Sequence, residues 1–238
     1  MRSIFAMAAQ PPSKSEQAKA RLLEAAVRIF GEKGLKGATV REIAKAAGQN
    51  VAAIAYYFGS KEKLYDTIIE GIVRELHHAL RDILEQIGEL ERREHRDSAR
   101  ALTVLKSFLG AVYLRVLSRD DALPMARLIV REQLGPTPAF EILYHKAFRQ
   151  LHTHLCFLVG LVLGRDPREA ETILRTHMLM GQVYFFAMSR ETILRRLGWR
   201  TLEGKNTELV VAVLHQNIDA LLLSLAQTDS KPRTNLRS

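Results

Sequence analysis

The sequence has little of what several protein classes need. It contains one cysteine, Cys156, in 238 residues, which excludes an intrachain disulfide and a cysteine-rich zinc site. A reducing, cytoplasmic environment is therefore expected. Long apolar runs are also missing, because the most apolar stretch, 155–164, is shorter than the roughly 18 residues of a spanning helix. We predict no transmembrane segment and no membrane partner.

Motifs of catalysis are equally scarce. The chain has no glycine-rich phosphate loop and no nucleophile motif, and nothing in the sequence around Cys156 would activate its thiol. Two histidines, His145 and His152, fall on one helical face, but no carboxylate or cysteine completes a ligand set at neighbouring turns. We expect no enzyme activity, no metal and no cofactor.

Acidic residues are fewer than basic ones. Thirty-five Lys and Arg residues face 26 Asp and Glu residues, which gives a net charge of +9 and a pI near 9.8. Such a balance is compatible with a polyanionic partner, although it says nothing about fold. Hydrophobic residues make up 47% of the chain, enough to bury a substantial core.

The apolar residues recur at helical spacing almost throughout, which predicts an all-α protein. A first helix is expected from Ser15, as its N-cap, to Lys33, ended by Gly34. Thr39 and Glu42 form a capping-box pattern for a second helix at 40–47. A third helix follows at 51–57, and a fourth begins after Ser60. Further helices are expected at 98–118, 122–134, 137–163, 167–189, 191–197 and 206–226.

The first three helices fit a helix-turn-helix unit, in which a supporting helix and a recognition helix meet across a tight turn. That geometry needs a small residue at the helix contact, a glycine in the turn and an aliphatic anchor. Ala44, Gly48 and Ile54 supply these three.

The residues left facing outward are suited to DNA. Gln49 and Asn50 can pair with adenine, and the methyl groups of Ala52 and Ala53 can meet thymine, with Val51 between them. Phosphates are the expected partners of a second, polar and basic set. That set is Thr39, Arg41, Tyr56, Tyr57 and Lys61, with Lys45 nearby. Phe58 is expected to be ordinary core.

The segment 22–65, with TVREIAKAAG, YYF and GSKEKLY, resembles the DNA-binding domain of TetR-family transcriptional regulators. The stretches REQLGPTPAF and ETILRRLGW are similar to those of the CecR-type subgroup. This resemblance implies a homodimer, a palindromic double-stranded DNA operator and a C-terminal ligand-binding and dimerisation domain. It places Thr39 and Lys61 at phosphate-contacting positions and 49–53 at groove-facing positions. Ala55 and Tyr57 depart from the usual tyrosine and histidine.

The domain division that follows is a disordered arm at 1–14, a helix-turn-helix domain at 15–62, a C-terminal domain at 63–228 and a disordered tail at 229–238. We place the boundary inside the fourth helix because no Gly-, Pro- or Ser-rich linker intervenes.

A small-molecule pocket is expected in the C-terminal domain, although most of its residues fit an ordinary core or surface equally well. The candidates combine soft apolar walls with polar groups. They are Arg131, His145, His152, His177, Met178, Gln182, Tyr184 and Phe185, with Glu132 in a similar apolar context.

The last long helix carries more apolar surface than one monomer face needs, which favours a dimer interface built with the helix at 167–189. Its candidate residues are Leu209, Val213, Ile218, Leu221, Leu222 and Leu225.

The function expected is a ligand-responsive, sequence-specific repressor. Two alternatives stay open: a DNA-binding protein with little sequence preference, and an enzyme with an accessory DNA-binding segment. The first would show salt dependence without an operator, and the second would turn over a candidate ligand.

Overall fold

The computed structural model describes residues 13–93, 97–114 and 122–229, and every regular element in these residues is helical. The all-α prediction is confirmed. The helices, in chain order, are α1 (Lys14–Gly37), α2 (Val40–Ala46), α3 (Ala52–Phe58), α4 (Lys61–Glu91), α5 (Ser98–Val112), α6 (Leu123–Leu134), α7 (Phe140–Leu143), α8 (Arg149–Leu163), α9 (Ala170–Met188), α10 (Arg190–Leu197) and α11 (Lys205–Asp229). A π-helical turn, Tyr144–Phe148, joins α7 to α8.

Helix ends show where local sequence reasoning succeeded and failed. Helix α1 is capped by Ser13, not Ser15, because Ser13 and Glu16 form a reciprocal capping box. Gly34, at φ +72°, breaks α1 where a stop was predicted. Pro167 precedes the N-cap Glu169 of α9, so the helix predicted from residue 167 begins three residues later, at Ala170. The predicted arm up to residue 12, the tail from 230 and the predicted helical residues 115–118 lie outside the described residues.

The described residues divide into two compact units. The first comprises 13–78 and 122–148, and the second comprises 79–93, 97–114 and 149–229. Helix α4 therefore contributes residues to both units, and α6 and α7 belong with the helix-turn-helix segment. The division proposed from sequence at residue 62 stays a prediction.

The first unit is built around α1, which packs against α2 and α6. Leu22, Ala26 and Phe30 are fully buried on its inner face. The Phe30 ring meets the Tyr65 ring of α4 edge to face, with centroids 5.0 Å apart. At Gly31 an added Cβ would lie 2.9 Å from the Pro124 backbone oxygen, so α1 and α6 approach closely only because this position is glycine.

The second unit is a helical layer in which α8 packs against α5 and α9, and α11 packs against α5, α8 and α9. Two contacts fix α11 on α5. Lys106 forms an ion pair with Asp219 at 2.8 Å, and the Nε2 atom of His215 lies 3.1 Å from the Lys106 backbone oxygen. Gly110 lets the His215 ring approach, since an added Cβ would lie 3.2 Å from its Nε2 atom.

Candidate functional site

The turn between α2 and α3 has the geometry expected of a helix-turn-helix unit. Ala44 and Ile54 are buried, so the two helices meet through a small residue and an aliphatic anchor. Gly48 takes a left-handed backbone conformation, φ +62°, which residues with a Cβ rarely adopt. The buried anchor fixes α3, whose opposite face stays exposed.

The proposed base-reading residues lie at the start of α3. Asn50, Val51 and Ala52 are exposed, and Gln49 and Ala53 are half-buried. The Oδ1 atom of Asn50 accepts a hydrogen bond from the Ala52 backbone N–H at 3.0 Å, as in an Asx turn. Asn50 thus accepts from the backbone N–H of the first residue of α3 and is also exposed. Gln49 makes no side-chain hydrogen bond to the part of the chain that the structure describes.

The aromatic residues of α3 have different surroundings. Tyr56 is 81% exposed, whereas Phe58 is buried. Tyr57 is half-buried, and its hydroxyl lies 3.2 Å from the Ser15 Oγ atom of α1. Tyr56 and Tyr57 also contact each other edge to face at 4.9 Å. Tyr56 is therefore the most accessible of the three side chains.

Lys61, proposed as a phosphate contact, has partners of its own. Its ammonium donates to the backbone oxygens of Leu35 at 2.9 Å and Ala38 at 3.1 Å. These carbonyls lie at the end of α1, where a cation is favoured. Lys61 therefore fixes the start of α4 against α1, and two of its three N–H donors are used there.

Thr39 is engaged at the start of α2. Its hydroxyl accepts from the Glu42 backbone N–H at 3.2 Å, and the Glu42 carboxylate accepts from the Thr39 backbone N–H at 3.0 Å, which realises the predicted capping box. The hydroxyl also donates to the carboxylate at 2.9 Å. Lys33 pairs with Glu42 at 2.5 Å. The hydrogen bonds from Lys33 and Thr39 lower the pKa of Glu42 to about 2, and the bond from Lys33 has the larger effect. Arg41 and Lys45 are exposed on the same helix.

Arg131, a candidate pocket residue, instead contacts the end of α1. Its Nε donates to the Gly31 backbone oxygen at 2.9 Å, and an Nη donates to the Glu32 backbone oxygen. Arg131 and His145 both lie in the first unit. The exposed His145 side chain contacts Glu141 one helical turn before it, with its Nε2 atom 3.1 Å from the Glu141 Oε2 atom.

The neighbouring Glu132 is a buried carboxylate with a full set of donors. It accepts from the Tyr65 hydroxyl at 2.7 Å, from the Thr137 backbone N–H at 3.0 Å and from the Thr137 hydroxyl. Tyr65 and Glu132 are each only 1% exposed. Burial and the adjacent carboxylate raise the pKa of Tyr65 above its ordinary range. We call this hydrogen-bonded group the Glu132 clamp; it connects α4, α6 and the turn before α7.

The other six pocket candidates lie in the second unit. His152 and His177 have ring centroids 6.0 Å apart, and the His152 Nδ1 atom lies 3.4 Å from the Cys156 sulfur. Burial lowers the pKa of His152, and His177 reinforces the shift; burial raises the pKa of Cys156. Within the described residues, no group of three or more His, Cys, Asp or Glu side chains is arranged to hold a metal ion.

The four remaining candidates, all on α9, differ in exposure. Met178 and Phe185 are 67% and 64% exposed. Gln182 is half-buried with its Oε1 atom inside the unit, and burial raises the pKa of Tyr184 to about 12. Tyr113, which sequence reasoning did not single out, is fully buried beside Phe186 of α9. No local sequence signal marks it, because its environment depends on the packing of α9.

The dimer candidates on α11 also divide. Leu209, Val213 and Leu221 are exposed, and Leu225 is half-buried. Ile218 and Leu222 are fully buried inside the protomer, on the face opposite Leu209 and Val213. Those two residues belong to the protomer core and cannot contact a second copy directly.

Helix α11 also meets the length and composition of a membrane span. Lys205–Gln227 includes an 18-residue window with a mean hydropathy of 1.7, of which 22% is buried. Its apolar residues are spread around the helix, and one face packs on α5, α8 and α9.

Two family models match the chain. The model of bacterial regulatory proteins of the tetR family matches residues 22–68, which span the helix-turn-helix unit. The model of the C-terminal domain of the HTH-type transcriptional dual regulator CecR matches residues 101–225.

Individual relatives agree with these matches. The HTH-type transcriptional dual regulator CecR of Shigella flexneri is 38% identical over 214 residues, which cover 90% of this chain and 95% of the relative. The HTH-type transcriptional repressor NicS of Pseudomonas putida is 30% identical over 43% of this chain and 44% of its own length.

Solved structures share the fold at lower identity. The hemolysin II transcriptional regulator HlyIIR superposes with a TM-score of 0.57 at 20% identity, over 85% of this chain and 99% of that one. PfmR of Thermus thermophilus superposes with a TM-score of 0.56 at 21% identity, over 84% of this chain and 94% of that one. With the exposed start of α3 held by a buried anchor, these matches show that the chain belongs to the CecR type of the TetR family of DNA-binding transcriptional regulators.

Proposed function

We propose that this regulator acts in the cytoplasm as a homodimeric repressor on a palindromic operator and that a small molecule controls its DNA affinity. The observation that carries the DNA-reading part is the outward face of α3. Residues 49–53 are exposed or half-buried, whereas Ile54 and Phe58 of the same helix are buried and pack it against the rest of the unit. In such units the N-terminal residues of the recognition helix meet base edges in the major groove.

Gln49 is the principal base-reading residue in this proposal, because its side chain has no competing intramolecular hydrogen bond among the described residues. The Oδ1 atom of Asn50 accepts from the Ala52 backbone N–H, so the Nδ2 amino group supplies the donors for a base. Val51, Ala52 and Ala53 provide apolar contacts to thymine methyl groups.

Phosphate contacts set the register of the unit on DNA. We assign them chiefly to Arg41 and Tyr56, both exposed, and to Tyr57 through a hydroxyl shared with Ser15. Lys61 contributes its third N–H donor. Thr39 reaches a phosphate only by giving up its hydrogen bond to Glu42, so its main role is to start α2.

Dimerisation is proposed to cover the apolar faces of α9 and α11. The α9 stripe follows helical spacing through Leu174, Met178, Phe185 and Met188, all exposed. On α11, Leu209 and Val213 form one exposed face, and Leu221 and Leu225, nearer its C-terminal end, are exposed and half-buried. Water-exposed apolar surface of this extent marks an interaction site. Two-fold symmetry also matches a palindrome whose half-sites lie about 34–36 Å apart.

Ligand response is proposed to reside in the second unit, whose buried face of α9 carries polar side chains. An effector that binds one conformer of the protein more tightly shifts the population towards it. Helix α4 contributes residues to both units, so it is the chain segment through which such a shift would be linked to the helix-turn-helix unit.

The base-reading proposal is tested by substituting Gln49→Ala and measuring the affinity for a panel of operator variants, each with one base pair changed. We expect altered preference at one symmetric pair of positions, worth about 1–3 kcal/mol per bidentate contact. Gln86→Ala, at an exposed position of α4, is the matched control. A uniform loss of affinity across the panel would remove the base-reading role from Gln49.

The phosphate proposal is tested with Arg41→Ala. We expect weaker binding to every sequence and a salt slope reduced by about 1. A changed base preference with an unchanged salt slope would contradict the assignment.

The dimer proposal is tested by Val213→Glu, which places a charge on the apolar face of α11. Sedimentation should show monomers that have lost operator affinity, whereas Gln150→Glu, at an exposed position of α8, should sediment as the parent. A monomeric parent protein that binds a palindrome with full affinity would refute the proposal. Partition of the parent protein into lipid vesicles would instead indicate that α11 covers its apolar face with a membrane.

A further inference from the structure

Tyr113, directly after α5, has an unusual polar atom. The residue is 0% exposed, and its hydroxyl has no hydrogen-bond partner in the described part of the chain. Buried polar groups almost always have partners, and one left without a partner destabilises the fold. The Tyr113 hydroxyl therefore needs a partner that the described residues do not supply, such as a water molecule or a ligand.

A second unpaired atom lies one helical turn from the ring that contacts Tyr113. The Tyr113 ring meets the Phe186 ring edge to face, with centroids 5.3 Å apart. Gln182 precedes Phe186 by four residues on α9, and side chains at that spacing are neighbours. Its Oε1 atom is buried with no hydrogen-bond partner among the described residues. We call these two residues, each a neighbour of Phe186, the Tyr113–Gln182 pair.

The two atoms have complementary chemistry. Burial raises the pKa of Tyr113 to about 12, opposed in part by the positive charge of Arg190, so near neutral pH the phenol is protonated and can donate. The Gln182 Oε1 atom can only accept. A ligand that satisfies both atoms must offer an acceptor and a donor on one small polar group.

We propose that the Tyr113–Gln182 pair binds the amide group of an aromatic effector. The amide oxygen accepts from Tyr113, its N–H donates to Gln182, and the flat body of the effector lies against Phe186. A carboxylate offers no N–H to Gln182, and a tertiary amide likewise has none. This inference rests on the proposed ligand response and names the chemical class of the ligand.

Benzamide is the simplest probe of this class. Its binding to the full chain, without DNA, is measured by ligand-observed NMR against benzoate and N,N-dimethylbenzamide. We expect each analogue to bind about ten-fold more weakly, because each leaves the Gln182 oxygen unpaired. Tyr113→Phe and Gln182→Leu should each weaken benzamide binding by a similar factor, and Tyr144→Phe, at an exposed tyrosine of the first unit, should not.

Stability without ligand supplies the second measurement. Tyr113→Phe removes an unpaired buried hydroxyl, so the thermal midpoint should rise by about 2–4 °C. A lower midpoint would show that the hydroxyl already has a partner in the ligand-free protein, and the inference would fail.

The outcomes separate this inference from the proposed ligand response. Equal binding of the three compounds, no binding of benzamide, or benzamide binding unaffected by Tyr113→Phe and Gln182→Leu overturns the amide site. Selective benzamide binding that leaves DNA affinity unchanged supports the site and refutes its role in regulation.

Discussion

The Glu132 clamp makes a quantitative prediction for Tyr65→Phe. The substitution removes one oxygen atom and with it the hydrogen bond from Tyr65 to Glu132 at 2.7 Å, while Thr137 keeps its bonds to the carboxylate. Hydrogen bonds to charged groups contribute about 1.5–3 kcal/mol. Both residues are buried, so bulk water does not replace the lost donor. We expect the free energy of unfolding to fall by about 2 kcal/mol.

Urea denaturation followed by circular dichroism measures this loss, with Tyr144→Phe as the matched control. The control should change the free energy of unfolding by less than about 0.5 kcal/mol, as surface substitutions usually do. Adding salt should leave the Tyr65→Phe effect nearly unchanged, because buried interactions are screened little. A double-mutant cycle with Glu132→Leu, which removes the acceptor of the Tyr65 hydroxyl, should give a coupling energy above about 0.5 kcal/mol. A Tyr65→Phe effect no larger than the control, or strictly additive substitutions, would refute the clamp.

Other expectations concern packing, pH and assembly. Gly31→Ala should lower the free energy of unfolding by about 1–3 kcal/mol, because its Cβ would lie 2.9 Å from the Pro124 backbone oxygen. Gly88→Ala, whose Cβ would meet only the flexible Arg92 side chain, should not lower it. Equal effects of the two substitutions in denaturation would contradict the close approach of α1 and α6. Raising the pH from 10 to 12 should lower the free energy of unfolding by about 2 kcal/mol through Tyr113, whose pKa burial raises to about 12. The unfolded tyrosine loses its proton first, so this loss should be absent from Tyr113→Phe. Val213→Glu should lower the dimer fraction in sedimentation, and an unchanged fraction would exclude the α11 face as the interface.

The local signals of the helix-turn-helix unit were readable from sequence because they act over a few residues. Thr39 and Glu42 cap α2, Gly48 takes the turn conformation, and Ile54 is buried, as predicted. Each depends on neighbours within one or two helical turns, where composition and spacing carry the information.

Contacts between residues far apart in the chain could not be predicted from the sequence. The partners of Lys61 lie 23 and 26 residues away, and those of Arg131 lie about 100 residues away. From sequence, Lys61 indicated only a phosphate contact and Arg131 only a pocket wall, because no local pattern reports the carbonyls at the end of α1. Tyr113 was missed for the same reason, since only α9 reveals its burial.

Amphipathic pattern also failed to separate the two faces of α11. Ile218 and Leu222 belong to the protomer core, whereas Leu209 and Val213 are exposed. All four residues are apolar, so the sequence predicts that both faces of α11 are covered. It does not show which face packs inside the protomer and which one is left for a partner. The faces became distinct only with the packing of α5, α8 and α9.

The central claim, sequence-specific DNA binding by the α3 face, is tested most directly by genomic selection. The purified full-length protein is used to capture genomic DNA fragments at near-physiological salt, and the recovered sites are mapped by footprinting. The account predicts a discrete palindrome whose half-sites are spaced by about one helical turn, with recovery lost or shifted in Gln49→Ala. Recovery of fragments without a shared motif, equal for the parent protein and Gln49→Ala, would contradict it.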